Sequence, residues 1–550
     1  MKKIIYFGLL ASISLGACSD DFLERVPLNS VSEENFWKTD NDVNLAVNAI
    51  YATLPGEALM YDDAAADIAH GQYPWESSAT VISSGVVNSS LDAGWKYEDQ
   101  RKANYFLENV DKAEMDQELK ERYKAEVRFL RAYSYFRMTT LFGDIPLVTS
   151  VLEFTEEQLN IPRTPKSEVI DFIISELDAV ASVLPESYSG AKTEEVGRIT
   201  KGAALTLKAR VLLSEAKYAE AAATAKEVMA LGYSLFKVSS ETASDKKDNY
   251  SKFATFANAA EEQKFRLALR SYEGIFHQIN EGNSEVILDR QYVVQTQSNY
   301  INTYLMEGSI GGWSSITPTQ SLVNSYQSFK TGENVAVPSA AIRAERYNKD
   351  KTAFVEEFKN RDPRFYASIL FETAPWNALT PEGNYTYKWI DGASNMSKTG
   401  YNFRKMVDPA ANREQLDNHS NIILFRYAEV LLTYAEAQNE ASGPDVSVYD
   451  AVDQIRTRAG MPVLNRTKYA SKEALREAIR QERKVELALE GVRYLDIRRW
   501  KIAPTVMTNI YSVKNALAQE RIWDDKLYLM PVPQAQIDLS YGVLEQNKGY

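Results

Sequence analysis

Residues 205–233 read LTLKARVLLSEAKYAEAAATAKEVMALGY, and two paired helices are expected from them. The first arm runs from about Gly197 to Glu215 and the second from Tyr218 to Leu231. Small alanines crowd the second arm, where two helices must approach closely. Helical hairpins of this kind stack side by side, because each alone buries only one face.

The same pattern recurs outward in both directions. Residues 426-RYAEVLLTYAEAQNE-440 and 446-VSVYDAVDQIRTRAG-460 resemble the first hairpin, with helices expected over Ile422–Asn439 and Val446–Ala459. Another pair is expected over Leu119–Leu141 and Lys166–Leu184, and a last one over Lys472–Glu490 with a shorter stretch through Trp500. These are similar to tetratricopeptide hairpins, although their spacing is irregular. Upstream, Val43, Ala46, Val47, Ile50 and Leu54 follow Asp40, a candidate N-cap, at helical spacing. Residues 56–94 are rich in Gly, Ser and Asp and are expected to be a long loop region, with helix returning over Asp99–Asn109. Between the central hairpins, residues 232–419 are less regular. They hold 307-EGSIGGW-313, 374-APW-376 and 381-PEGNYTYKW-389, with short strands expected. A loop-rich segment of this length in a compact chain is usually functional. The whole is therefore expected to be mainly α, a hairpin scaffold (about 119–231 and 422–500) carrying a loop-rich insertion within a single domain over 36–550.

The chain begins MKKIIYFGLLASISLGAC. Lys2 and Lys3 precede a short apolar stretch, Ile4–Leu15, which is too short to span a bilayer. Leu15-Gly16-Ala17-Cys18 is similar to the lipobox of bacterial lipoproteins. Residues 1–17 are thus expected to be a cleaved signal peptide, Cys18 a lipidated anchor and 18–35 a tether. Several acyl chains, palmitate among them, give durable anchoring where one chain would not. Cys18 is the one cysteine, so no disulfide can form within the chain and packing alone must hold it. The net charge of −13 becomes −15 once Lys2 and Lys3 leave with the leader. That argues against nucleic acid and anionic membrane surfaces as partners, and weakly against acidic polysaccharides.

Several ordered stretches resemble the SusD/RagB family of outer-membrane nutrient-binding lipoproteins. They are Cys18 followed by DDFLERVP, 126-EVRFLRAYSYFRMTTLFGDIPL-147 and 198-RITKGAALTLKARVLL-213, then 426-RYAEVLLTYAEAQNE-440 and 452-VDQIRTRAGMP-462. The last are 481-QERKVELALEGVRYLDIRRW-500 and 529-LMPVPQAQIDLSYGVLEQNKGY-550. The resemblance implies a SusD-like fold, four hairpins around a long insertion whose loops build a ligand face. It implies a lid over a SusC-like TonB-dependent transporter. Such a lid captures a glycan, or in some members a peptide, and hands it on. Ser19-Asp20-Asp21 after the lipidated cysteine fits members exposed at the cell surface.

Motifs for chemistry are sparse. His70, His277 and His419 are far apart and none lies in H-E-x-x-H. No nucleophile elbow, P-loop, dinucleotide fingerprint or calcium loop occurs, so no cofactor or metal is expected. A two-carboxylate glycosidase remains an alternative, since its spacing exists only in three dimensions. A structural or adhesive protein is another. Glu482 and Glu486 fall on the inner face of the Lys472–Glu490 helix and need partners such as Arg493 or Arg499. Arg128 and Arg131 have the same scaffold role. Sugars offer an apolar C–H face to aromatic rings and a polar rim to amides and carboxylates. Trp37, Trp95, Trp500 and Trp523 lie in scaffold patterns and are expected to pack. Trp75 with Tyr73, and Trp313 with Asn299 and Tyr300, are the foremost ligand candidates, followed by Trp376 and Trp389.

Overall fold

A computed structural model of the protein describes residues 36–153, 155, 160–188, 195–243, 245–380, 382–411 and 418–550. The leader, Cys18 and the tether lie outside the described residues. The first helix, α1 (Asp40–Tyr51), is capped one residue earlier than the sequence suggests. The Thr39 hydroxyl accepts from the Asp42 amide, and the Asp42 carboxylate accepts from the Thr39 amide at 2.9 Å, a capping box.

The scaffold follows as α2 (Glu98–Asn109), α3 (Gln117–Phe142), α4 (Lys166–Val183), α5 (Lys201–Ser214) and α6 (Tyr218–Met229). After the insertion, whose longest helix is α7 (Ala259–Glu273), come α8 (Tyr427–Ser442), α9 (Val446–Arg458), α10 (Lys472–Glu486) and α11 (Arg493–Arg499). Helix α3 packs on α4, α4 on α5, α5 on α6, α6 on α8, and α8 on α9 and α10. Helix α5 is buried nearly all round, as its run of Ala, Leu and Val requires. Helix α6 buries Ala221, Ala222 and Ala225, side chains short enough to let it approach both α5 and α8. The α6–α8 contact means that residues 232–419 leave the stack and return to it at the same place. Arg210 of α5 fixes the join with two 2.7 Å bonds to Glu429 of α8.

Several expected bounds change: α5 begins at Lys201 rather than Gly197, and α10 ends at Glu486 rather than Glu490. Residues 56–94 contain two short helices, Leu59–Ala64 and Ala79–Ser84, and the strand β1 (Ala69–Gly71). The stretch expected to start α8 at Ile422 instead forms a strand. In the insertion lie β2 (Val286–Arg290), β3 (Ile316–Pro318), β4 (Ile369–Leu370) and β5 (Asn402–Phe403), and β6 (Ile422–Arg426) follows it. All pair as antiparallel two-stranded ladders, β1 with β3, β2 with β6 and β4 with β5.

The inward carboxylates of α10 find partners far away in sequence, not the expected neighbours. Glu486 is fully buried and accepts from Arg364 at 2.8 Å, from Arg426 at 2.7 Å and from Arg458. Glu482 accepts from Arg364 at 2.6 Å and Arg456 at 3.0 Å. Arg493 pairs with Asp67, and Arg499 with Glu436 and Asp496. Arg128 and Arg131 both hold Glu176, at 2.8 and 2.7 Å. Trp37, Trp95 and Trp500 are buried and Trp523 is half-buried.

Candidate ligand-binding face

The β1–β3 ladder brings two loops together. Beyond the strands the Gln72 amide donates to the Ser315 carbonyl at 2.8 Å, so the loop after β1 stays beside the loop before β3. In the first loop the Tyr73 and Trp75 rings lie 4.9 Å apart at 30°. Trp75 is 77% exposed, so one ring face is open to solvent. The Tyr73 hydroxyl accepts from Gln72 at 2.9 Å and donates to Asn395 Oδ1 at 3.1 Å. Glu76 ties the loops together, accepting from Tyr61 at 2.6 Å and from Ser315 at 3.0 Å.

The second loop is set by glycine. Gly311 adopts φ +87°, which closes the turn Gly308–Ile310. A Cβ on Gly312 would stand 2.0 Å from the Met306 carbonyl oxygen, so only glycine fits there. The Trp313 amide then donates to the Thr303 carbonyl at 2.7 Å, and its ring is held 38% exposed. Behind it the short helix Ile301–Leu305 extends the aromatic run. Tyr304 lies 6.1 Å from Trp313 and 6.0 Å from Tyr300, ring to ring, and Tyr61 packs edge-on to Tyr304 at 5.8 Å. Burial first, then the Glu76 carboxylate, pushes the Tyr61 hydroxyl far above its ordinary pKa, keeping it a donor. Burial likewise raises Tyr304, with Glu57 and Glu76 adding to it.

Of the candidate residues, Trp75, Tyr73, Trp313 and Tyr300 therefore sit on loops that the ladder gathers. Three others do not. Asn299 is fully buried, donating to the Ser420 carbonyl at 2.9 Å and accepting from the Ile301 amide at 3.1 Å. Trp376 is 0% exposed beneath the Arg404 guanidinium, 4.7 Å from its ring centre. Trp389 is 4% exposed, donates to the Ser397 carbonyl at 2.7 Å and meets Tyr347 edge-on. These three are packing groups with no face left for a ligand. The sequence reading missed Tyr304 and Tyr61. Tyr304 follows Tyr300 at the i,i+4 spacing that places two rings on one helix face.

Trp75 and Trp313 leave ring surface open to solvent. A pocket of about 430 Å³ is lined by Trp95, Tyr97, Val148 and Leu544, and one of about 440 Å³ by Tyr188, Tyr233 and Asp289. His70 is buried on β1, and burial, with Arg521 and Lys398 nearby, pushes its pKa down to about 3. It is neutral at physiological pH. Among the described residues no cluster of three or more His, Cys, Asp or Glu is arranged to hold a metal ion.

Comparison with known proteins decides the family. The model of the SusD family matches residues 272–550, and a second, described as starch-binding associating with outer membrane, matches residues 37–213. The chain belongs to the SusD family. Its SusD-like fold is matched by the crystal structure of a SusD-like protein from Bacteroides fragilis. That protein is 30% identical, with a TM-score of 0.81 over 96% of this chain and 100% of its own. SusD-like protein P2 of Formosa agariphila is 25% identical over 574 residues, covering 100% of both chains. The starch-binding protein SusD of Bacteroides thetaiotaomicron is 24% identical over 81% of this chain and 76% of its own. A surface glycan-binding protein A from that species, solved with laminarihexaose, shares the fold at 19% identity and a TM-score of 0.61, covering 93% of this chain and 100% of its own.

Proposed function

We propose that this SusD-family protein is a non-catalytic glycan-binding lipoprotein of the outer membrane. It captures an oligo- or polysaccharide and delivers it to a SusC-like TonB-dependent transporter. The observation that carries this is the pair of exposed aromatic groups, Tyr73–Trp75 and Trp313–Tyr304–Tyr300, gathered by the β1–β3 ladder. Sugar rings stack on such faces and leave their hydroxyls to neighbours such as Asn395 and Glu76. Ring surface open to solvent suits a polymer that continues beyond the site at both ends. The starch- and glycan-binding names of its relatives support the same ligand class. The family description supports the outer membrane, and Cys18 supplies the lipid anchor at its outer surface.

Electrophoresis of the mature chain through native gels cast with starch, laminarin or other polysaccharides tests this. At least one polymer should retard the protein, with no reducing ends released over hours. Release of sugar by the purified protein, abolished by one acid-to-amide change, would replace binding with hydrolysis. Retardation by none, alongside capture of peptides, would favour the peptide-binding reading.

A further inference from the structure

Four lysines from three segments lie on, or are tied to, the stretch that Asn395 joins to the aromatic loops. Asn395, which receives the Tyr73 hydroxyl, also accepts through its carbonyl from the Gly308 amide at 3.0 Å and the Ser314 hydroxyl at 2.8 Å. It is thus bonded to both aromatic loops. The segment around it carries Lys388 on one side and Lys398 on the other. The Val513 amide donates to the Thr399 carbonyl at 3.0 Å, which brings Lys514 alongside. Lys514 Nζ lies 5.4 Å from the Trp389 ring centre and 5.8 Å from that of Tyr347. Lys351 Nζ stands 2.9 Å over the same Tyr347 ring.

Carboxylates neutralise only part of this charge. Lys514 pairs with Asp391 at 3.2 Å and Lys351 with Glu372 at 3.3 Å. Lys388 and Lys398 are exposed, and among the described residues neither has a hydrogen bond or ion pair. The cations act on one another. Burial lowers the Lys351 pKa and Glu372 opposes that, while Lys514 and Lys388 add to the lowering. Lys398 likewise adds to the lowering of His70 on β1. In a chain of net charge −13, a local excess of cations runs against the overall balance. The overall repulsion of a polyanion is screened beyond about 8 Å at physiological salt, so local contacts decide.

We propose that this set of lysines reads an anionic group, a sulfate ester or a uronate carboxylate, on a glycan whose sugar rings lie on Trp75 and Trp313. This rests on the glycan-binding reading above and narrows its ligand to a charged class. Lys388 and Lys398 supply the free cations, with Lys514 and Lys351 raising the field around them.

The test is titration calorimetry on the mature chain with two matched pairs. These are carrageenan with its desulfated form, and polygalacturonate with its methyl ester; dextran sulfate is the polyanion control. One charged polymer should bind about tenfold more tightly than its neutral partner, and which pair does so identifies the anion. Lys388→Ala and Lys398→Ala should each weaken the charged form about two- to fivefold, with unchanged Tm and no effect on the neutral form. Trp75→Ala should weaken both forms. Equal binding of charged and neutral forms, untouched by the lysine changes but lost with Trp75→Ala, overturns this inference and leaves the glycan reading intact. Lysine-dependent binding that treats dextran sulfate and carrageenan alike and ignores Trp75→Ala is ion exchange, and also overturns it. If a neutral glucan binds and none of these probes does, the inference fails. If no glycan of any kind binds, the glycan reading fails with it.

Discussion

Glu486→Gln should destabilise the whole fold, because this carboxylate joins elements that are distant in sequence. It is fully buried and receives three guanidinium groups, Arg364 from the insertion, Arg426 from β6 and Arg458 from the end of α9. Each arginine keeps another acid when the charge is removed: Asp362 and Glu482 for Arg364, Glu285 and Glu490 for Arg426, and Glu285 for Arg458. The cluster would nonetheless hold one uncompensated buried positive charge. Breaking a buried pair from one side costs about 3–5 kcal/mol. With an unfolding entropy of about 2.1 cal/mol/K per residue over about 500 residues, that is a fall in Tm of about 3–5 °C. Desolvation raises the Glu486 pKa, but Arg458, Arg426 and Arg364 outweigh it and hold the carboxyl far below its ordinary value. A carboxyl depressed in the folded state contributes stability that is fully present above its unfolded pKa, near 4.3. That contribution is lost as pH falls from there toward the folded value. Calorimetry from pH 7 to pH 3 should therefore show the gap between protein and variant narrowing below about pH 4. An unchanged or raised Tm at pH 7, or a gap independent of pH, refutes this role for Glu486.

Trp376→Ala should cost about 3–5 kcal/mol of stability, read by urea unfolding, while the remaining folded protein binds glycan as before, since the ring faces Arg404 and not solvent. Gly312→Ala forces a Cβ against the Met306 carbonyl and should cost about 1–3 kcal/mol, weakening glycan affinity with it because the Trp313 turn must shift. Cys18→Ala should move the protein from the membrane fraction to a soluble one on cell fractionation; retention in the membrane would contradict a lipid anchor at that residue.

The helical scaffold was largely legible in the sequence because its signal is local. The helices over Lys166–Val183 and Tyr218–Met229 end within two residues of where alanine and leucine spacing puts them. Short strands were expected within 232–419 and are found there, but their positions and partners were not legible. Ile422–Arg426 is a run of four apolar residues ending in Arg426, IILFR, all five buried, and such a short apolar run reads equally as helix or strand. Its partner β2 lies more than a hundred residues earlier. The partners of Glu482 and Glu486 were illegible for the same reason. Sequence periodicity points a carboxylate inward, and only the returning insertion supplies Arg364. At the proposed ligand face, Gly311-Gly312 marked Trp313 for display. For Trp376 and Trp389 a loop-like context was misleading, since a loop this long has a core of its own and buries its largest rings there.

Affinity measured by titration calorimetry for the retarding glycan, with Trp75→Ala, Trp313→Ala and the double variant, tests the proposed ligand face most directly. Each exposed ring should contribute about 1–2 kcal/mol, so each single change should weaken binding about five- to thirtyfold at unchanged Tm, and the double change more than either. Full affinity in all three folded variants would show that the glycan binds elsewhere on this protein.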